Sequence, residues 1–376
     1  MDSPETIKVI IAGGGTGGHL YPGIALAEEI EKRWKAKILF VGTNYGIENK
    51  VLPKTFYEFK KIWMRGFRRK MSLSNLLFPL RLNVSLFQCA ILILTFRPNV
   101  IIGTGGYVSG PALMMGIAFG VPTVIQEQNS FPGLVNRILG KWVKQVHVTF
   151  EESRHYFEKQ PNIFVSGNPV RGNLNMVERD TALNKFNLQK NKSTLFIFGG
   201  SQGAHAINMQ VLKGLERLTA YPDLQILWAT GASDIQVVSS KCQRFKDRIC
   251  VHPYIEDMAS AYAASDIVLC RSGASTLSEI TICGLASILV PYPYSTSGHQ
   301  EYNARTMEKA NAAIVILEDS LTEDVLIEKI FELLDNPNKR MAMAKAARQL
   351  SKPNAAKEIV DKIDELIRPL ACTDEA

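Results

Sequence analysis

The chain has 376 residues, 46% of them hydrophobic and 21% charged, and its formal net charge is +7. The length predicts roughly two domains, and the composition excludes a disordered or fibrous protein. The positive charge lies in one segment, because residues 59–126 hold eight of the 43 basic side chains and none of the 36 acidic ones. The rest of the chain is nearly neutral, so this segment alone predicts an anionic partner.

Short aliphatic and β-branched runs alternate with helical patterns, which predicts parallel sheets covered by helices on both faces. Twelve strands are too many for one compact domain, so we place a domain boundary in the run Gly167–Arg171. The predicted strands before it are 8–12, 37–41, 99–102, 123–126, 145–149 and 163–166. The predicted strands after it are 194–198, 225–229, 249–252, 266–270, 287–290 and 313–316.

Each half opens with a strand, a glycine-rich turn and a helix. The turns are Gly14–Gly18 and Gly199–Gly203, and the helices after them are expected over Pro22–Trp34 and Ala206–Leu218. One such turn is common in α/β domains. Two at equivalent positions indicate two Rossmann-like domains that face a shared cleft.

The first glycine-rich turn fits a pyrophosphate site, because glycines let the backbone approach phosphates ahead of a helix N-terminus. The second predicted strand ends without the acid that would bind a dinucleotide ribose, which disfavours an NAD site. His19 begins the next helix, where the helix dipole disfavours an imidazolium, so it is a candidate general base. A structural imidazole bonded to a loop carbonyl is the alternative.

Two further loops follow strands of the first half, at the edge where open α/β sheets bind ligands. One is Gly103–Pro111, which contains Tyr107, and the other is Gln126–Ser130, which contains Asn129. We expect both loops to contribute to a binding site, although Asn129 also suits a turn or a helix cap.

In the second half, residues 266–279 read as a strand, a small-residue turn and a helix start with hydroxyl side chains. This pattern suits a phosphate that needs no metal, and Glu279 is placed to accept both hydroxyls of a ribose. A carboxylate that complements the helix dipole is the alternative for Glu279. Gln300 is a candidate for binding sugar hydroxyls, and the sequence has no Asp-x-Asp pair to bridge a metal to a sugar nucleotide.

Apolar residues follow the basic segment at once, a combination typical of proteins that bind anionic membrane surfaces. A core helix beside a solvated basic loop is one alternative, and a nucleic-acid site is another. The apolar stretch Leu82–Phe96 is expected to be too short and too polar to cross a bilayer. The acidic stretch Met1–Glu5 does not predict a signal peptide, and the six cysteines are expected to be reduced packing residues. The candidate membrane residues are Arg68, Arg69, Lys70, Leu76, Leu77, Phe78 and Leu80.

Six short motifs together resemble the MurG family, the UDP-N-acetylglucosamine–N-acetylmuramyl-(pentapeptide) pyrophosphoryl-undecaprenol N-acetylglucosamine transferases. Each motif alone is modest, but six in the family's order, spread over nearly the whole chain, are specific. The motifs are GGTGGH at 14–19, GGYVSGP at 105–111, EQN at 127–129, GNPVR at 167–171, GGSQGA at 199–204, and RSGA with SE over 271–279.

The resemblance implies a GT-B glycosyltransferase fold, with two Rossmann-like α/β domains whose parallel sheets are separated by a cleft. It implies an N-terminal domain, residues 1–168, that binds the acceptor and the membrane. It also implies a C-terminal domain, residues 169–352, that binds UDP-GlcNAc. An amphipathic helix is predicted at about 354–368, and the resemblance implies that it packs back onto the N-terminal domain.

The implied reaction is an inverting, metal-independent transfer of GlcNAc from UDP-GlcNAc to the C4 hydroxyl of MurNAc in lipid I. The product would be lipid II, for cell-wall biogenesis, cell shape and cell division. The implied location is the cytoplasmic face of the bacterial inner membrane, as a peripheral protein. The expected partners are UDP-GlcNAc, lipid I, an anionic membrane and other cell-wall synthesis proteins, without a cofactor or nucleic acid.

Matched positions imply roles for individual residues. The first two glycine-rich loops would meet the diphosphate of lipid I, and His19 stays the candidate base for the acceptor hydroxyl. The acceptor-side positions are Thr16, Gly17, Gly18, Tyr107 and Asn129. The donor-side positions are Arg171, Ser201, Ile255, Ala274, Ser275, Thr276, Leu277, Ser278, Glu279 and Gln300.

Three rival functions are set against this one. Another GT-B glycolipid glycosyltransferase or a sugar-nucleotide epimerase would share the donor half, and the motifs at 105–111 and 127–129 favour lipid I over both. An inactive scaffold of a cell-wall complex is disfavoured because His19, Glu279 and Gln300 are present. A dinucleotide oxidoreductase is disfavoured by the missing ribose acid.

Overall fold

The computed structural model describes residues 6–66, 76–170, 172, 174–200 and 202–368. The chain divides into two compact units, the first made of residues 1–170 with 353–376 and the second of residues 171–352. Some candidate residues lie outside the described residues, namely Arg68, Arg69, Lys70, Arg171 and Ser201.

The first unit is built on a parallel sheet whose seven described strands run in the order β3-β2-β1-β4-β5-β6-β7. The strands are β1 (Ile7–Gly13), β2 (Ala36–Gly42), β3 (Glu58–Lys61), β4 (Val100–Gly105), β5 (Thr123–Glu127), β6 (Gln145–Val148) and β7 (Ile163–Phe164). The helices between them are α1 (Gly17–Arg33), α2 (Glu48–Val51), α3 (Phe78–Phe96), α4 (Ser109–Ala118) and α5 (Leu134–Leu139).

Alternate side chains of β1 point to opposite faces of this sheet, so the unit has two cores. Ile10 packs with Cys89 and Ile93 of α3 on one face. Val9 packs with Leu26 of α1 on the other. Because both faces are covered, the central strands are apolar throughout and only their ends can carry polar chemistry.

The second unit has a parallel sheet whose six described strands run in the order β10-β9-β8-β11-β12-β13. The strands are β8 (Ser193–Phe198), β9 (Leu224–Ala229), β10 (Ile249–His252), β11 (Ile267–Cys270), β12 (Ala286–Leu289) and β13 (Ile314–Val315). The helices are α6 (Arg179–Lys185), α7 (His205–Lys213), α8 (Leu215–Ala220), α9 (Ile235–Cys242), α10 (Met258–Ala263), α11 (Ala274–Cys283), α12 (His299–Lys309), α13 (Glu323–Asp335) and α14 (Pro337–Gln349).

All twelve predicted strands are confirmed, and the parallel pairing expected of them is confirmed as well. The sequence interpretation missed β3, which pairs parallel with β2 at the sheet edge. This strand reads Glu-Phe-Lys-Lys and is largely exposed, so it lacks the apolar run on which the other strands were recognised.

Three helices differ from expectation. The first begins at Gly17 instead of Pro22, which places His19 inside its first turn. The predicted helix over Ala206–Leu218 is broken at Gly214, where an added Cβ would lie 2.6 Å from the Ile327 side chain. A close approach of α13 therefore sets the break.

The third difference corrects the expectation for the apolar stretch. Helix α3 begins at Phe78 and has 19 residues, so by length and composition it could cross a membrane, and the prediction that this stretch is too short was wrong. Its stripe of Ser85, Cys89 and Ile93 is nevertheless buried against the sheet. A core helix of this length passes the same test, so the finding alone is weak evidence for a span.

The last helix, α15 (Ala355–Ile367), returns to the first unit after the chain has completed the second. Ile359 and Ile363 are fully buried in the core beside α1. Arg33 of α1 forms ion pairs with Asp361 and with Asp364, the latter at 2.9 Å. The amphipathic sequence of this segment therefore serves to cover one face of the first sheet.

Truncating Ile359 tests whether α15 is part of this core. We expect Ile359→Ala to lower the free energy of unfolding of the first unit by about 2–5 kcal/mol, because it leaves a cavity at a fully buried site. Lys357→Ala, on the exposed side of the same helix, is the control and is expected to change it by less than about 0.5 kcal/mol. Equal effects of the two substitutions in urea unfolding would show that α15 is not stably docked.

Candidate functional site

The loops that follow β1 and β4 touch each other, because both strands lie side by side at the centre of the sheet. Gly105 and Gly106 adopt φ values of 105° and 79°, in the region that favours glycine. A Cβ on Gly106 would lie 2.6 Å from the carbonyl oxygen of Gly14, and a Cβ on Gly105 would lie 2.7 Å from Nδ1 of His19. Only glycine permits this approach, so the two predicted glycine-rich loops form one site.

His19 lies half-buried in the first turn of α1, and its Nδ1 is 2.9 Å from Oε1 of Gln128 in the loop after β5. Three loops predicted separately, after β1, β4 and β5, therefore meet at this imidazole. The sequence interpretation quoted Gln128 in a motif but gave it no role. Its contact with His19 joins residues 109 positions apart, which no local pattern reveals.

Asn129, the next residue, is held by the buried carboxylate of Glu127. Oε1 of Glu127 accepts from the backbone N–H of Asn129 at 2.9 Å and from its Nδ2 at 3.2 Å. Oε2 accepts from the N–H of Gly133 at 2.9 Å and from Nδ2 of Asn136 at 2.8 Å. Four donors satisfy this charge, so Glu127 shapes the loop instead of offering a free carboxylate.

A second buried carboxylate, Glu48 of α2, lies under the first glycine-rich loop. It accepts from the backbone N–H of Gly15 at 2.8 Å and from the N–H and hydroxyl of Thr43 at 2.9 and 2.8 Å. The sequence interpretation found no acid at the end of β2. The structure supplies one six residues further on, and it holds the loop in place.

The remaining acceptor-side residues lie around these loops. Thr16 is exposed at the start of α1, and its carbonyl oxygen accepts from the N–H groups of His19 and Leu20, both at 3.2 Å. Gly17 and Gly18 open the helix, at the end where backbone N–H groups favour an anion. The ring of Tyr107 packs closely over Gly66 and is partly exposed.

In the second unit, β11 leads through Gly273 into the N-terminus of α11, as predicted. The Ser272 hydroxyl donates to the carbonyl oxygen of Gln300 at 2.7 Å, and Nδ2 of Asn303 donates to the Ser272 carbonyl at 3.3 Å. Helix α12 therefore braces the turn, and the first N–H groups of α11 can face a phosphate.

Glu279 has a partner that the sequence interpretation missed. The hydroxyl of Tyr262 donates to Oε2 of Glu279 at 2.8 Å. Burial raises the pKa of Tyr262 well above its ordinary value, and the neighbouring Glu279 charge raises it further, so the phenol stays a donor. Its ring lies edge-on to Phe196 and Phe198, which fixes the direction of the carboxylate.

Other donor-side candidates lie deeper. The side chains of Ile255, Ala274 and Leu277 are buried, and the N–H of Leu277 already donates to the carbonyl oxygen of Gly273 at 3.0 Å. The Ser278 hydroxyl donates to the carbonyl oxygen of its own helix, 3.0 Å away at Ala274. Ser275 and Thr276 are half-buried in the first turn. In these positions Leu277 supports the site through packing.

Gln300 opens α12, and its Oε1 accepts from the backbone N–H of Tyr292 at 3.0 Å. It therefore ties α12 to the proline-containing loop that follows β12. Among the described residues, no group of three or more His, Cys, Asp and Glu side chains is arranged to hold a metal ion.

The comparison with known proteins covers both units. Residues 9–148 match the glycosyltransferase family 28 N-terminal domain and residues 194–359 match the glycosyltransferase family 28 C-terminal domain. Over 365 residues the chain is 44% identical to the UDP-N-acetylglucosamine--N-acetylmuramyl-(pentapeptide) pyrophosphoryl-undecaprenol N-acetylglucosamine transferase of Thermoanaerobacter sp. (strain X514), covering 96% of this chain and 100% of that protein. The chain belongs to the MurG family.

A relative from Chlorobaculum parvum with the same name is 41% identical over 362 residues, covering 95% of this chain and 98% of the relative. The crystal structure of Acinetobacter baumannii MurG superposes with a TM-score of 0.76 at 27% identity and covers 96% of this chain and 99% of that one. A putative UDP-N-acetylglucosamine 2-epimerase from Listeria monocytogenes gives a TM-score of 0.69 at 16% identity, covering 97% of each chain, and so shares the fold alone. The recognised family and the two-domain GT-B fold class are thereby confirmed.

Proposed function

We infer that this protein transfers GlcNAc from UDP-GlcNAc to the MurNAc unit of lipid I and so makes lipid II for peptidoglycan. The observation that carries this conclusion is identity of 44% over 96% of the chain to a transferase named for that reaction. An epimerase matches at only 16% identity, so the fold it shares does not extend to its activity.

The finer steps of the reaction are proposals that rest on the residues. Transfer with inversion needs one base for the attacking hydroxyl, and His19 sits where the acceptor-side loops meet. The leaving UDP gains charge, which we assign to the N–H groups at the start of α11. We propose that these dipoles replace a metal ion, and that Glu279, aimed by Tyr262, binds the ribose hydroxyls.

A transfer assay tests the reaction and the metal-free step together. We expect purified protein to move labelled GlcNAc from UDP-GlcNAc to a short-chain lipid I analogue at the same rate with and without EDTA. UDP-GlcNAc binding by calorimetry without transfer to lipid I would retain the donor site and refute the acceptor. Transfer that stops in EDTA and resumes with added Mg²⁺ would refute metal independence.

Two substitutions test the ribose role of Glu279. We expect Glu279→Ala to raise the KM for UDP-GlcNAc by at least about tenfold, since both ribose hydroxyls lose their acceptor. Tyr262→Phe is expected to raise it by roughly threefold to tenfold, because the carboxylate stays but loses its fixed direction. Glu332→Ala, on α13 in the same unit, is the control, and a KM for Glu279→Ala equal to that control would exclude this role.

We also propose that the protein binds the cytoplasmic face of the bacterial membrane as a peripheral protein through α3 and the preceding segment. The outward side of α3 exposes apolar side chains, and no charge occurs between Arg81 and Arg97. Phe78, one of the predicted membrane residues, instead packs partly against the core. The exposed apolar residues of this surface are Leu76, Leu77, Leu80, Phe87, Ile91 and Leu94.

The opposite faces of α3 argue for a helix that lies on the membrane. One stripe packs into the first unit's core through Cys89 and Ile93, so the helix cannot leave the sheet without exposing that core. The other stripe offers apolar area to lipid tails, and the basic segment before it complements anionic head groups. We further propose cell-wall synthesis proteins as partners there.

Vesicle sedimentation with separate variants tests the two contributions. We expect Phe87→Ser with Leu94→Ser to weaken binding to phosphatidylglycerol vesicles at least about tenfold, since two apolar contacts are lost. Replacing Arg68, Arg69 and Lys70 by Glu should weaken it further and remove its salt dependence, at about 1 kcal/mol for each basic contact. Phe56→Ser removes an exposed ring away from α3 and is the control. Unchanged binding by the α3 variant would exclude this surface.

A further inference from the structure

The amide of Gln128 has only one possible orientation. Its Nε2 lies 2.7 Å from the carbonyl oxygen of Thr104 and 3.1 Å from that of Gln126, and both oxygens can only accept. The same nitrogen also donates to the side-chain oxygen of Gln126. A flipped amide would place an oxygen against three acceptors, in a site where Gln128 is 1% exposed.

This orientation decides which nitrogen of His19 carries the proton. Oε1 of Gln128 faces Nδ1 of His19 at 2.9 Å and can only accept, so Nδ1 must be the donor. A neutral imidazole carries a single N–H, and its Nε2 is then left with a lone pair. We propose that Gln128 is a positioning residue that fixes His19 as the Nδ1–H tautomer and so reserves Nε2 for the acceptor's proton.

The surrounding backbone keeps the ring in this place. Gly105 approaches it so closely that an added Cβ would lie 2.7 Å from Nδ1. Gln128 is in turn held through Gln126, whose Nε2 donates to Oδ1 of Asn168 at 3.3 Å. The buried charges nearby, Glu48 and Glu127, are directed to backbone and side-chain donors of their own loops. A neutral amide thus does what a carboxylate does in a catalytic triad, without adding charge beside an anionic acceptor.

The tautomer can be read directly in the unliganded protein by long-range 1H–15N correlation of the imidazole rings at about pH 8.5, where an ordinary histidine is neutral. His19→Ala identifies the signals of His19 among the six histidines. We expect the Nδ1–H pattern in the wild type and a shift toward the Nε2–H pattern in Gln128→Met. An Nε2–H pattern in the wild type, or no change in Gln128→Met, would overturn the proposal.

Gln160 offers a matched control within the same unit. It is also a buried amide, whose Nε2 donates to the carbonyl oxygens of Gly140 and Val143, both at 2.7 Å, and whose Oε1 accepts from Asn162 N–H at 3.1 Å. Gln160→Met therefore removes an equivalent set of hydrogen bonds without touching His19. We expect it to leave the tautomer of His19 unchanged.

The kinetic consequence rests on the proposed transferase function. We expect Gln128→Met to lower kcat at least about tenfold while the KM for UDP-GlcNAc stays within about twofold, because a misoriented base affects the chemical step. An equal loss of kcat in Gln160→Met would assign the effect to stability and overturn the positioning role. Because the tautomer is measured without substrate, a protein that transfers no GlcNAc would refute the function and leave the tautomer result standing.

Discussion

The side-by-side parallel pairing of β1 with β4, and of β8 with β11, is the constraint on which both sites depend. At these pairs the strand order reverses, so the loops at their carboxyl ends leave in opposite directions and open a crevice. The strands themselves are buried on both faces and cannot carry polar groups. The chemistry is therefore confined to the few residues that follow each strand.

The two units solve the same problem with different supports. In the first, buried carboxylates and amides hold the loops, and each carboxylate of Glu48 and Glu127 is satisfied by donors of its own segment. In the second, a buried phenol set among aromatic rings aims Glu279. A satisfied carboxylate makes a loop rigid, whereas a carboxylate with one fixed partner stays available to a ligand.

Much of this arrangement could be predicted from sequence because it depends on local patterns. The glycine-rich turns and the apolar strands announce themselves within ten residues, and they correctly locate His19, Asn129 and the start of α11. The supporting residues could not be found in this way. Gln128 and Tyr262 act on partners 109 and 17 positions away, and their roles depend on which strands are neighbours.

The errors have physical causes as well. The edge strand β3 carries lysines because one side of it meets water, so its composition hides it. Pro22 was expected to open α1, but it lies inside the helix, which begins at the glycine turn itself. Helix α3 extends to Phe78 because the residues ahead of Leu82 continue its apolar face.

The return of α15 to the first unit sets an order for biosynthesis. The second unit is continuous from Arg171 to Lys352 and can fold as soon as it has left the ribosome. The first unit begins to emerge earlier but lacks Ile359 and Ile363 on one sheet face until the second has been made. The unit that is translated first therefore finishes folding last, and during translation the uncovered face beside α1 is the part of the nascent chain most in need of a chaperone.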